Sequence, residues 1–195
     1  MRRLFFGLSV DPDVSQPMLR GVRATLDGSG PFAVYGPEDL HVTLCFLGEV
    51  DDERVQRLLS AAGVEFRALH APELSVGGCG DAFPTRETPR ALVSCVSEVT
   101  ETVGRLAALR NRALQVGLTC GWRPTRVERE RGFRPHVTLA RPRAGAAVPE
   151  DFWDLGRERS WVPADVELFE SRPERGDGEP RYRTVASWPL AVGPG

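Results

Sequence analysis

The tetrapeptide His-Val-Thr-Leu occurs twice, at residues 41–44 and 136–139, and the two copies hold two of the three histidines in the 195-residue chain. Such recurrence points to a repeated structural unit. Both copies lie in short runs rich in apolar and β-branched residues, LHVTLCFLG and RPHVTLARP, and read as strands. Successive side chains on a strand point to opposite faces. His41 and Thr43 therefore share one face, as do His136 and Thr138, while Val42, Leu44, Val137 and Leu139 line the other. Each copy offers an imidazole beside a hydroxyl, and two such strands face to face would pool two of each. By the same alternation Cys45 falls on the His41 face, near the candidate site.

Length and composition set the frame for that repeat. At 195 residues, 41% hydrophobic and 27% charged, the chain suits a globular fold with one substantial core or two small lobes. No apolar run approaches the roughly 20 residues that span a bilayer. The opening MRRLFFGLSVDP has an apolar run only at 4–10, ended by Asp11-Pro12, and reads as a first strand rather than a leader. A cytoplasmic protein without a membrane partner is expected. Cys45, Cys79, Cys95 and Cys120 include no C-x-x-C pair, which argues against structural zinc and a disulfide framework. Small buried residues are the simpler reading.

The net charge of −2 provides no global basic field for nucleic acid. Locally, seven arginines (at 123, 126, 129, 131, 134, 141 and 143) surround the second motif, against Glu128 and Glu130. Arginine's planar fork matches phosphate oxygens, although a solvated loop with scattered ion pairs would look the same.

Patterning predicts strands at 3–10, 32–35, 40–47, 66–70, 74–76, 90–96, 134–141, 166–170 and 182–190. Gly48 is expected to end the first motif strand, and Gly77, Gly78 and Gly80 to form a loop or bulge. Helices are expected at 14–26, 53–62 and 98–116, with a short one at 149–157 and loops at 121–131 and 172–180. Most links are too short for parallel crossovers, so the expected class is α+β with largely antiparallel sheets. Two pseudo-equivalent halves would leave a cleft between them.

An imidazole titrates near neutrality, so one histidine can act as base while another acts as acid. Two opposed histidines suit an in-line displacement at phosphorus, one accepting a proton from the attacking oxygen and the other donating to the leaving oxygen. Threonine hydroxyls can donate to the non-bridging oxygens as charge accumulates there. Neither motif carries a carboxylate and His70 lies on an unrelated segment, so no metal is expected. His70 reads as structural or surface. Spacing selects His41, His136, Thr43 and Thr138 as a set without saying which histidine is acid.

The paired motifs resemble the two-histidine (2H) phosphoesterase superfamily, and their surroundings resemble its RNA 2′,3′-cyclic phosphodiesterase branch, also called 2′-5′ RNA ligase. RLFFGLSVDP is similar to the opening strand of that family, LHVTLCFLGEV and RPHVTLAR to its two motifs, and LFESRP with YRTVASWPL to its closing strands. The resemblance implies one bilobal α+β domain over 1–195, with two pseudo-symmetric sheets, outer helices and a central cleft. It implies metal-independent, cofactor-free hydrolysis of an RNA 2′,3′-cyclic phosphate end, tRNA fragments among the candidate substrates, to a 2′-phosphate by a monomer. By motif position His41 would protonate the departing 3′ oxygen, His136 would activate water, and Thr43 and Thr138 would hold phosphate oxygens. Arg141 also matches the pattern as a phosphate ligand, although alternation places it on the face opposite His136. The alternatives are a phosphodiesterase for a small cyclic phosphate, such as an ADP-ribose derivative, and a non-catalytic RNA-end-binding module. Ligation, the reverse reaction, is disfavoured by water's concentration.

Overall fold

Both motif segments form strands, and they lie side by side. The computed structural model describes residues 1–27, 30–67, 69–125, 132–172 and 179–193. In chain order the elements are β1 (Arg2–Ser9), α1 (Pro12–Leu26), β2 (Phe32–Val34), β3 (His41–Val50), α2 (Asp52–Glu65), β4 (Leu74–Phe83), β5 (Ala91–Glu98), α3 (Arg105–Thr119), β6 (His136–Pro142), β7 (Asp154–Trp161), β8 (Asp165–Ser171) and β9 (Tyr182–Pro189). They make an α+β fold with a nine-stranded sheet in the order β7-β4-β5-β6-β3-β1-β8-β9, to which β2 adds on β6. The pairings along that order are antiparallel.

The motif strands β3 and β6 pair only at Val42 and Val137. On either side of this junction runs a matching series, β6-β5-β4-β7 one way and β3-β1-β8-β9 the other. The two expected sheets are thus halves of one sheet, related by a pseudo-two-fold at a single residue pair.

Helices cover the apolar face. Asp11 starts α1 by accepting from the Asp13 amide at 2.8 Å, and Asp51 starts α2 by accepting from Arg54 at 2.8 Å. α1 buries Val14, Met18, Leu19, Val22 and Leu26, packing towards β7. α3 buries Leu106, Leu109, Ala113 and Val116 against β3, and α2 packs on α3. Val42, Leu44, Val137 and Leu139 join the same core.

Several expected boundaries are corrected. Of the strand expected at 66–70, residue 68 lies outside the described residues and the rest is not a strand: Phe66 is the buried C-cap of α2, and His70 makes an isolated bridge with Ala191. The predicted helix over 98–116 begins only at Arg105. Gly104, at φ +100°, sets its start, and Glu98 stays in β5 while its carboxylate accepts from the amides of Gly104 and Leu106 at 3.1 and 2.9 Å. The predicted helix at 149–157 is a 3₁₀ turn, Glu150–Trp153, running into β7. β7 was hidden because DLGRERSW is a mostly exposed edge strand without an apolar stripe. β3 continues past Gly48 to Val50 through a register shift. The glycines at 77 and 78 lie within β4 as a bulge.

Candidate active site

The Val42–Val137 pair fixes the centre of the site. In an antiparallel register it sets His41 towards Thr138 and Thr43 towards His136. Burial follows alternation: Val42, Leu44, Val137 and Leu139 are buried, whereas His41, Thr43, His136 and Thr138 are half-buried on the other face. The four candidate side chains are brought together as two His–Thr pairs in opposite orientation.

Both imidazoles are held in the same way. His41 Nδ1 lies 2.8 Å from the carbonyl of Asp39, and His136 Nδ1 lies 2.7 Å from the carbonyl of Arg134, in each case two residues upstream. A carbonyl only accepts, so Nδ1 carries the proton and Nε2 presents its lone pair to the site. When the ring is neutral Nε2 is a base; when it is protonated Nε2 is an acid.

The surroundings of the two rings differ. Phe5 (4.7 Å between centroids), Phe169 (5.5 Å) and the edge of Tyr182 (4.7 Å) wall in His41. Desolvation by these rings pushes His41 from its ordinary value of 6.5 down to about 4, against the opposing pull of the Asp39 carbonyl. His136 has Phe83 at 4.7 Å, and burial lowers it too. Arg134 stacks on Phe83 at 4.8 Å and pairs with Asp81 at 2.7 Å, so its charge also works against the His136 cation.

Asp39, which the motif pattern did not single out, holds the His41 side together. Its carbonyl accepts from His41, and its buried carboxylate accepts from the amides of Arg181 and Tyr182 at 2.6 and 3.3 Å. One residue thereby ties the start of β9 to the start of β3 and seats Tyr182 against the imidazole. Burial raises the Asp39 carboxyl, with the two amides pulling the other way. The sequence held no signal for this link, because the partners are some 140 residues apart and bind through backbone atoms.

Each motif strand bulges just after its Thr-Leu. On β6, Val93 faces Thr138 while Leu92 faces Ala140; on β3, Gly7 faces Thr43 while Phe6 faces Cys45. The extra residue leaves two successive side chains buried, Leu139 with Ala140 and Leu44 with Cys45. Alternation is thereby reset. Cys45 therefore goes into the core, correcting its expected place beside His41. Phe46 and Arg141 emerge instead on the histidine face, both exposed. Arg141 Nε donates to Tyr35 Oη at 2.9 Å, and the Tyr35 ring lies 6.4 Å between centroids from that of Tyr182, the ring that abuts His41. The Tyr182 phenol is pushed well up, first by burial and then by Tyr35.

Of the remaining candidates, His70 stays apart, lining a cavity with Thr102 and Arg105. Arg126, Arg129 and Arg131 of the arginine-rich stretch lie outside the described residues, as does most of the 172–180 loop. Among the described residues no three His, Cys, Asp or Glu side chains are grouped to hold a metal ion, and no helix is long and apolar enough to cross a membrane.

Known proteins share both sequence and architecture with this chain. A family model described as LigT like Phosphoesterase matches residues 10–93. The chain is 31% identical over 140 residues to an RNA 2′,3′-cyclic phosphodiesterase of Archaeoglobus fulgidus, covering 71% of this chain and 72% of that one. It is 25% identical over 201 residues to the Escherichia coli protein of the same name, covering 97% of each. The crystal structure of E. coli LigT complexed with 3′-AMP superposes with a TM-score of 0.70 at 23% identity, over 97% of this chain and 98% of that one. With a paired His-x-Thr face at the pseudo-two-fold, this fold and a 31% identical relative over most of its length, the chain belongs to the LigT-like phosphoesterases of the 2H superfamily.

Proposed function

We propose that the protein hydrolyses RNA 2′,3′-cyclic phosphate ends to 2′-phosphates by two-histidine acid/base catalysis without a metal ion. The observation that carries this reading is the Val42–Val137 junction, which turns two His–Thr pairs towards each other with both Nε2 atoms released to the site. His136 Nε2 takes a proton from water as its oxygen attacks phosphorus. The bond from phosphorus to the 3′ oxygen breaks in line, and His41 Nε2, entering as the imidazolium, protonates that oxygen. The assignment of acid and base follows the family resemblance. Thr43 and Thr138 donate to the non-bridging oxygens, and Arg141 balances their charge.

The lowered affinity of His41 for protons has a consequence in this scheme. The acid is neutral in the empty site, and the incoming phosphate anion restores its proton by favouring the cation. Substrate charge thus completes the catalyst.

A short oligoribonucleotide ending in a 2′,3′-cyclic phosphate, incubated with the protein in excess EDTA, tests the proposal. Conversion to a 2′-phosphate, lost in His136→Ala, is expected. A 3′-phosphate product would overturn the placing of acid and base, and no conversion would overturn the RNA-end reading.

A further inference from the structure

Two of the four cysteines take no part in that chemistry, yet Cys95 lies beside His136 and Cys79 on the next strand out. On β4, Val76 faces Val96 and Gly80 faces Ser94, which leaves Gly77, Gly78 and Cys79 opposite Cys95 alone. On its other edge Cys95 is the register partner of His136. Both thiols are exposed and unbridged, Cys79 is near enough to act on the Cys95 thiol, and Cys79 Sγ donates to the Gly80 carbonyl at 3.3 Å. The bulge that presents Cys79 is firmly built. Gly77 and Gly78 have φ of +109° and +65°, and a Cβ on Gly77 would meet the Arg157 carbonyl at 2.9 Å. Across its outer edge Cys79 is in register with Asp154 of β7.

The bulge is also linked to the imidazole. Two residues beyond Cys79, Asp81 holds Arg134 at 2.7 Å, and the Arg134 carbonyl holds His136 Nδ1 at 2.7 Å. Phe83 on the same strand touches the His136 ring. Any shift of β4 against β5 therefore reaches His136 through an ion pair, a hydrogen bond and a ring contact.

We propose that Cys79 and Cys95 are a reversible redox site that closes to an intramolecular disulfide on reaction with a low-molecular-weight disulfide, and that closure displaces His136. The effect on turnover rests on the role proposed above for His136. Cys79 and Cys95 sit on neighbouring strands at the β4–β5 bulge, and closure requires their Cα atoms to come within the roughly 4.4–6.8 Å that a disulfide spans. Cys79, presented on the exposed bulge of β4, enters as the nucleophile. Its thiolate attacks one sulfur of RS–SR, that bond breaks, and RS⁻ leaves to take a proton. The Cys95 thiolate then attacks Cys79 Sγ in the mixed disulfide and expels the second RS⁻. Two protein thiols are oxidised to one disulfide and the small disulfide is reduced to two thiols. A small dithiol reverses the exchange.

The test uses the full chain treated with glutathione disulfide, then alkylated, digested and mapped by mass spectrometry. A Cys79–Cys95 disulfide formed with the loss of two hydrogens is expected, along with a change in the His136 imidazole resonances by NMR. Cyclic-phosphate hydrolysis should fall by about tenfold or more, as expected for a misplaced catalytic group, and recover with dithiothreitol. Cys79→Ser should retain the basal rate and show neither the resonance change nor the loss of activity. Oxidation that stops at a glutathione adduct, or that gives another pairing, overturns the proposal. So does a disulfide that leaves the His136 resonances unmoved. Should the reduced protein hydrolyse no cyclic phosphate, the functional reading fails by itself, and peptide map and resonances still decide the redox pair.

Discussion

The single number that most shapes the chemistry is the low proton affinity of His41. A ring held near 4 is neutral in the free protein at neutral pH, and His136 is lowered as well. The proposed mechanism needs one ring protonated and the other neutral. Because kcat/KM reports the free enzyme and kcat the complex, the two profiles should separate. We expect kcat/KM to peak on the acid side of pH 6.5, the ordinary histidine value. The alkaline limb of kcat should lie higher, since bound phosphate favours the imidazolium. Steady-state rates from pH 4 to 9 check this, and coincident profiles centred above neutrality would contradict it. Folding obeys the same linkage. The unfolded chain binds more protons at His41 than the native one between about pH 6.5 and 4, so stability contributed by neutral His41 is present above that window and is lost as pH falls through it. Thr43→Ala and Thr138→Ala should each lower kcat by roughly 10- to 1000-fold, the cost of one lost oxyanion donor, with stability little changed.

At the scale of elements, the paired bulges matter more than the strands themselves. Strict alternation put Arg141 on the wrong face and Cys45 on the right one, and one extra residue in each strand reverses both. A bulge follows from partner strands and packing, so HVTLA and HVTLC, read alone, give no sign of it. The motif pair, its His–Thr face, the α+β class and the antiparallel pairing were legible, because they rest on local period and on a repeat. The start of α3 was not. An apolar 3.6-residue pattern runs from Val99 through Leu106 and Leu109, but Gly104 and the Glu98 carboxylate decide where the helix begins. Replacing Glu98 by Ala should cost about 1 kcal/mol, as for a lost cap, read as a lower urea midpoint with an unchanged slope. Arg141→Ala should raise KM by about 10- to 100-fold for a lost charged hydrogen bond. Arg141→Lys should not restore it, because a single ammonium cannot replace the fork that holds Tyr35 and, in the proposed site, a phosphate.

At the scale of the whole molecule, each half supplies one histidine, and the halves meet at one residue pair. Their relative placement is therefore secured from outside the junction as well. Asp39 does this on the His41 side by joining the start of β3 to the start of β9. Asp39→Ala would leave two half-buried amides without their acceptor, at up to about 1–3 kcal/mol, and would release Tyr182 from His41. Asp39→Asn keeps an acceptor oxygen and should recover much of the loss. The sharper expectation concerns the histidines together. If acid and base act in one displacement, removing either leaves the other without a step to serve. His41→Ala and His136→Ala should each reduce kcat by orders of magnitude, and the double variant should fall little below the weaker single one. Single-turnover rates on a cyclic-phosphate oligonucleotide, with urea melts to show that all three variants fold, measure this coupling. Multiplicative losses would mean that the two halves contribute independently, and the concerted two-imidazole mechanism would then have to be abandoned even if the product were a 2′-phosphate.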